Sequence, residues 1–491
     1  RTQCLPLRQF ILVLAQFCSI RRVFVMIWRQ LSVVIFALPL ALCATAEAID
    51  EIEVERFCYP EQHKNSRKSC ECNNEDSPPW GIRAINIDCS YKVLKTADFS
   101  EVLPLYVNTL DLSWNSMDEV PTLASDSLRV LNVMHNNITA LTNKKFVKVS
   151  NLRELYLGWN SIQSIELSSF DELAHLQVLD LSHNNVHTLG LQLFHSLIIL
   201  ETLDLSWNRQ LNQTEGIQEQ DFYRSFGVNP KLKTLRMQAC SLRDLVLPEK
   251  APLVRLDLRR NMLEKIPNKL PITLEILDIS ANLFQQISPV ITANLSSTLS
   301  ELLVEDMPRL QSVEEKAFET MTGLKKISFQ NSRRLTKFSG NAFGSDVGRF
   351  PELGTLIFRG TSIGAFNATL EPIFKQLTEL DFNGVPLICD CELVWIKEVE
   401  LETNGRCYNP SRLRGETLTN ADKSDFSCPH WPHWVGGLLI FGLILICAAG
   451  IYVVVMCLRP NRGGVTLRRK VGSGSPYARV TIEPNRQENY Y

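Results

Sequence analysis

The chain has 491 residues, with 51 basic against 53 acidic side chains and 45% hydrophobic residues. That length exceeds what one compact core supports, although a repeat array escapes the limit. A near-zero charge balance without a sustained basic block argues against nucleic acid as a partner.

The first Met is Met26, so residues 1–25 read as translated upstream sequence, an extended leader being the alternative. Met26-Ile-Trp-Arg29 gives a basic start, Leu31 to Leu42 an apolar centre, and Ala44-Thr-Ala46 a small-residue exit. This is the pattern of a secretory signal peptide over 26–46, cleaved after Ala46 or Ala48. The apolar stretch Phe10 to Ile20 stops at Arg21-Arg22 and is too short to cross a bilayer.

The 14 cysteines are unevenly placed. Cys58, Cys70, Cys72 and Cys89 fall in a segment over 49–92, and Cys389, Cys391, Cys407 and Cys428 in another over 389–428. Even-numbered sets flanking a nearly cysteine-free middle read as disulfide knots of an oxidising compartment. Zinc is the rival. Widely spaced Cys-x-Cys pairs fit it poorly, and only the first set encloses a histidine, His63.

Between these sets, over 107–387, one apolar phrase recurs twelve times. Leu152-Arg-Glu-Leu155-Tyr-Leu157-Gly-Trp-Asn160 and Leu176-Gln-Val-Leu179-Asp-Leu181-Ser-His-Asn184 are clear copies, 24 residues apart. Repetition at this period predicts an α/β-type repeat solenoid, since one unit alone cannot bury its apolar face. The alternation predicts a strand with Leu155 and Leu157 inward and Glu154, Tyr156 and Gly158 on the concave face. Twelve parallel strands at about 4.8 Å would line an arc of roughly 50–60 Å. The closing Asn (115, 136, 160, 184, 208, 261, 282) is expected to satisfy backbone groups where the chain turns. Cys240 replaces it in the sixth copy, as a buried small residue rather than a reactive thiol. Met307, Ser332, Thr361 and Val385 replace it in the last four, where curvature is expected to change.

The residue before this Asn is Trp114, His135, Trp159, His183 and Trp207 through the first five copies. Such an aromatic stripe is a candidate contact zone for a protein ligand, with consensus packing the competing explanation. The neighbouring column includes Asp111, Tyr156, Asp180, Asp204, Asp257 and Asp278; Tyr156 joins the contact candidates. Its carboxylates are read as solvating the sheet and not as a metal site. Arg255, Arg259 and Arg260 converge on one repeat, either to meet an acidic partner or to pair with nearby aspartates. Repeats five and ten are long, and their insertions, Gly216 to Phe226 and Asn341 to Phe350, are expected as surface loops suited to recognition, or as drift. Asn137, Asn212, Asn294 and Asn367 head glycosylation sequons. No His-Glu-x-x-His, Gly-x-Ser-x-Gly or phosphate-binding glycine loop occurs, and no cofactor is implied.

Residues 435–458 form 24 uncharged positions, long enough to span about 30 Å of hydrocarbon. Trp431, His433 and Trp434 sit at the outer edge, while Arg459, Arg462, Arg468, Arg469 and Lys470 hold the tail, 459–491, in the cytoplasm. These signs describe a single-pass type I protein of the plasma membrane. Tyr477-Ala-Arg-Val480 resembles a tyrosine-based sorting signal, and Cys457 is a palmitoylation candidate.

Taken over residues 58–428, the chain resembles the extracellular leucine-rich-repeat receptors and adhesion proteins. The motif Pro386-Leu-Ile-Cys389-Asp-Cys391-Glu-Leu-Val-Trp395 carries this most specifically, followed by Cys407, Asn409-Pro410, Leu413-Arg-Gly415 and Phe426-Ser-Cys428. The resemblance implies a curved horseshoe with a parallel concave sheet and cysteine-rich caps. It pairs Cys389 with Cys407, Cys391 with Cys428, Cys58 with Cys72 and Cys70 with Cys89. It implies a non-enzymatic recognition or adhesion receptor whose partner is an extracellular protein or cell-surface ectodomain. An innate-immune co-receptor and an auxiliary subunit of another membrane protein are the alternatives.

Overall fold

A computed structural model of the chain describes residues 70–76, 83–98, 103, 106–211, 221–267, 270–399, 403–428 and 433–458. The expected signal peptide, Cys58, Asn212, Tyr477 and Val480 lie outside these residues, as does the side chain of Cys457.

Among the described residues, fourteen strands make one sheet. Glu71–Asp76 and Arg83–Asp88 form an antiparallel hairpin at one end. Every later pairing in the sheet is parallel, starting with Arg83–Asp88 against Val107–Asp111. Eleven three-residue strands follow: Val130–Asn132, Glu154–Tyr156, Val178–Asp180, Thr202–Asp204, Thr234–Arg236, Arg255–Asp257, Ile276–Asp278, Glu301–Leu303, Lys326–Ser328, Thr355–Ile357 and Glu379–Asp381. The middle residue of each points inward and is registered on its neighbours, as in Leu131 on Leu155 on Leu179 on Leu203. Period-two alternation puts the flanking residues on the open face. The stack is thus a parallel solenoid held by a continuous column of buried aliphatic side chains.

The Asn column works as the alternation requires. Asn136 Nδ2 donates to Leu112 O (3.0 Å), Val133 O (3.1 Å) and Met134 O (3.1 Å), and its Oδ1 accepts from Met117 N (2.9 Å). Asn160, Asn184, Asn208, Asn261 and Asn282 repeat this arrangement, each reaching a carbonyl of the preceding coil. Buried backbone groups that no strand partner reaches are thereby paired. Where Asn is missing the substitutes do less. The Cys240 thiol donates to Leu205 O (3.2 Å), and burial pushes its pKa up to about 12. Ser332 Oγ donates to Val304 O (3.0 Å) and accepts from Met307 N (3.2 Å). Thr361 Oγ1 is buried with no partner. In the last three repeats an aromatic spine accompanies the loss of Asn. Phe329, Phe358 and Phe382 replace the second inward leucine and stack at 5.7 and 5.8 Å.

The long repeats correct an expectation. The described part of the repeat-five insertion is not a surface loop but a short helix, Phe222–Phe226, with Phe222 and Phe226 fully buried. Asp221 caps its start through Tyr223 N and Arg224 N, and Gly227 ends it in the left-handed region. In repeat ten Phe343 and Phe350 likewise turn inward and meet edge-on at 5.2 Å. In the described parts of both insertions the aromatics join the core, because their burial outweighs exposure.

Disulfides join Cys70 to Cys89, Cys389 to Cys407 and Cys391 to Cys428. Cys72 is disulfide-bonded too. Cys240 and Cys447 are free thiols among the described residues.

Residues 433–458 form a separate unit, one 26-residue helix, His433–Leu458. Its side chains are described only for Leu438 and residues 440–455. Within that shorter run no helix is long and apolar enough to cross a membrane. The helical backbone itself is about 39 Å long at about 1.5 Å per residue.

Candidate protein-binding face

Each coil leaves its strand through one residue with positive φ, immediately before the Asn position. In the first five repeats that residue is Trp114 (φ 56°), His135 (52°), Trp159 (54°), His183 (51°) and Trp207 (64°). Its N–H donates to the next coil, for example Trp159 N to Ser182 O at 2.9 Å and His183 N to Ser206 O at 2.8 Å. Equivalent residues of adjacent coils therefore sit one strand spacing apart. Flat rings placed at that interval stack. Centroid separations run 3.7 Å (Trp114–His135), 5.0 Å (His135–Trp159), 3.7 Å (Trp159–His183) and 5.0 Å (His183–Trp207). The stripe predicted from sequence is one continuous column of rings.

The column is longer than the sequence indicated. Tyr91 stacks on Trp114 at 5.3 Å, and the guanidinium groups of Arg209 and Arg260 lie 5.3 and 5.8 Å over Trp207 at the other end. Tyr91 escaped notice because it belongs to no leucine phrase. The signal was present, since Cys89-Ser-Tyr91 holds the place of Leu112-Ser-Trp114, and Cys89 N donates to Asp111 O as Leu112 N does to Asn132 O. Trp114 and Trp159 keep 47% and 48% of their surface exposed, whereas core phenylalanines keep at most 6%, so these rings are not core. Burial holds the imidazoles of His135 and His183 below their ordinary pKa, leaving both uncharged at neutral pH.

Alongside the rings runs a floor of small or slender residues, Ser113, Met134, Gly158, Ser182 and Ser206. A Cβ on Gly158 would lie 3.0 Å from Ser182 Oγ and 3.1 Å from Met134 Cε. Beyond the floor stand Asp111, Asn132, Tyr156, Asp180 and Asp204. Each Asp accepts the N–H two residues on, at 2.8 Å (Ser113), 2.7 Å (Ser182) and 2.9 Å (Ser206), which fixes the carboxylate against the turn. This local role accounts for the column, and no cluster able to hold a metal occurs among the described residues. Tyr156 donates to Glu154 Oε2 (2.7 Å), and burial beside that carboxylate pushes its pKa up to about 12.

The three arginines of repeat seven do not act together. Arg259 bonds Asp278 (3.1 Å) and Asp257 (3.2 Å), Arg260 covers Trp207, and Arg255 is exposed. Of the sequons, Asn137, Asn294 and Asn367 are exposed, and Asn367 Oδ1 also caps Thr369 N at 2.9 Å. One grouping has the residue types of a hydrolytic triad without its geometry. His195 Nε2 faces Ser196 Oγ (3.0 Å), yet Asp171 approaches that same nitrogen (3.9 Å) while Nδ1 meets Gln192 O (2.8 Å). A triad needs the carboxylate on the nitrogen opposite the serine.

A parallel solenoid with leucine columns, an asparagine ladder and an open sheet face is the arrangement that leucine-rich repeats build. A leucine-rich-repeat family model matches residues 126–186 and 150–210, and a model of the BspA-type leucine-rich-repeat region matches 299–347. Among curated proteins, the chain is similar to a chondroadherin-like protein of Homo sapiens, 36% identical over 85 residues, or 16% of this chain. It is also similar to a chondroadherin-like protein of Mus musculus, 40% identical over 58 residues, or 11% of this chain. The matched segments span 11% and 8% of those relatives' own lengths.

Proposed function

We propose that this protein is a cell-surface recognition or adhesion receptor. It binds a protein ligand through the open sheet face of its first five repeats and performs no catalysis. The observation that carries this is the ring column from Tyr91 to Trp207, contiguous across the face, with Tyr91, Trp114 and Trp159 exposed and the other rings partly so. Large aromatic groups held rigid and partly solvated are the side chains that dominate protein interfaces. In this reading the flanking disulfides are caps that close the ends of the stack and hold it in an oxidising compartment. A signal peptide over 26–46 exports it, the helix His433–Leu458 spans the plasma membrane, and the basic tail stays inside. Glycans are expected on Asn137, Asn212, Asn294 and Asn367, and with Asn137 and Asn212 occupied a partner must avoid those flanks of the ring column.

Triple replacement of Trp114, Trp159 and Trp207 by Ala is expected to abolish binding of cells bearing the full chain to partner cells or ectodomains, with the fold kept by circular dichroism. Retained binding by a folded triple variant would remove the face from consideration.

A further inference from the structure

The recognition reading above leaves the chemistry of the ligand open, and the charge of the face narrows it. In repeats one to five the outward strand positions and the ring column carry Asp111, Glu154, Asp180 and Asp204, and no Lys or Arg. Asp180 commits one carboxylate oxygen to Ser182 N (2.7 Å) and leaves the other open, and Glu154 commits one oxygen to the Tyr156 hydroxyl (2.7 Å). The other two are engaged, Asp111 with Asn132 Nδ2 (3.0 Å) and Asp204 with Arg236 (3.6 Å). Cations flank these positions: Arg129 and Arg153 precede the strands of repeats two and three, Arg209 of repeat five lies over Trp207, and further on Arg236, Arg259 and Arg260 are held by Asp204, Asp278 and Trp207.

The rings contribute a second constraint. Their faces are spent on each other, so what they offer a ligand is a ridge of edges beside the floor at Gly158 and Ser182. Edges carry the positive rim of the ring quadrupole, which makes them apolar walls and poor seats for a cation. A ligand cation therefore finds its counter-charge across the floor, on the acidic side. Five repeats at about 4.8 Å span about 19 Å, the length of about six extended residues.

Accepting that this face binds protein, we propose that its occupant is an extended basic segment of the partner. The segment lies along the floor with Lys or Arg head groups at Asp180 and Glu154 and its aliphatic stems against the Trp114 and Trp159 edges. Long basic side chains suit such a site because their stems bury on apolar walls while their charged ends reach an anion. Charge complementarity of this kind sets partner choice and on-rate more than affinity.

The test uses the purified full chain in detergent and fluorescein-labelled decapeptides of alternating Lys-Ser or Glu-Ser, read by anisotropy. The Lys-Ser peptide binds, and its affinity falls as salt rises from low to high ionic strength. The Glu-Ser peptide does not bind. Neutralising both carboxylates, Glu154→Gln with Asp180→Asn, weakens Lys-Ser binding by about tenfold, each exposed pair contributing a few-fold. Neutralising two acids elsewhere, Glu249→Gln with Glu352→Gln, leaves it unchanged. Equal loss in the two double variants, or equal binding of the Glu-Ser peptide, overturns the proposal. So does salt-sensitive self-association through Asp180, which makes a second copy the occupant. A tryptophan-dependent protein partner whose contact segment lacks basic residues also overturns it while leaving the recognition reading intact.

Discussion

The amide of Asn184 makes contacts that no other side chain at its position could. Its Oδ1 accepts from Ile162 N (2.9 Å), and its Nδ2 donates to Leu157 O (3.0 Å), Leu181 O (3.1 Å) and Ser182 O (3.1 Å). The residue is 4% exposed, so alanine there leaves buried backbone groups without water or partner. Asn184→Ala is expected to cost about 3 kcal/mol by chemical denaturation. Thr361 is the converse, a buried hydroxyl at the same ladder position with nothing to bond. Thr361→Val should be neutral or stabilising by up to about 1 kcal/mol, and a clear loss would reveal a partner for that hydroxyl. Asp278 adds a pH signature. Burial, and then the charge of Asp257, raise its pKa to about 6 against the pull of Ser280 and Arg259. The folded state then holds a proton that the unfolded chain releases near pH 4, so this group's contribution favours folding at low pH and declines as pH rises from about 4 to about 6. Asp278→Asn is expected to flatten that decline, by at most about 3 kcal/mol across this window. A variant profile parallel to the wild type between pH 4 and 7 would show that Asp278 titrates normally.

At the scale of the repeat, the residue before the Asn sets strain against stacking in the ring column. Positive φ costs a bulky residue about 1–2 kcal/mol, and the last two repeats avoid this with Gly360 (φ 69°) and Gly384 (φ 75°). Each stacked pair returns about 0.5–1.5 kcal/mol, so strain and stacking nearly cancel for a ring with two neighbours. Trp159→Gly should therefore change folding stability by less than about 2 kcal/mol in thermal unfolding. A larger loss would make the column structural glue and weaken its claim as a contact surface. The repeat itself was legible from sequence, because a leucine phrase at a fixed period admits one way to bury its apolar side. The stripe was legible for the same reason, through its offset from the Asn. Tyr91 was not, since the phrase around it has Cys89 in place of leucine. The inward turn of Phe222 and Phe226 was also hidden, because an insertion's length does not say which side of the stack it joins. Nor did Arg255, Arg259 and Arg260 reveal from adjacency that Asp257 and Asp278 hold one of them and Trp207 another. Pairing of charges depends on the next coil, which lies about twenty residues away in the chain.

The two units of the molecule solve the burial of apolar surface differently. The solenoid buries its leucines coil on coil, whereas the helix His433–Leu458 leaves Ile440, Phe441, Leu443, Ile444, Ile446 and Ile451 more than half exposed. Of residues 435–458, 14 are Leu, Ile, Val or Phe. At about −0.3 to −0.6 kcal/mol each they favour insertion by about 4–8 kcal/mol, and one central Arg opposes this by about 3. Anchoring by this helix, if it holds the protein, should therefore fail in a graded way. The full chain should stay with the membrane pellet after alkaline carbonate washing, and Ile446→Arg should stay with it too. Replacing Ile444, Ile446 and Ile451 together by Arg costs about 9 kcal/mol, more than the apolar residues supply, and should send the protein into the medium. A triple variant that remains in the pellet would mean that something other than this helix holds the chain to the membrane.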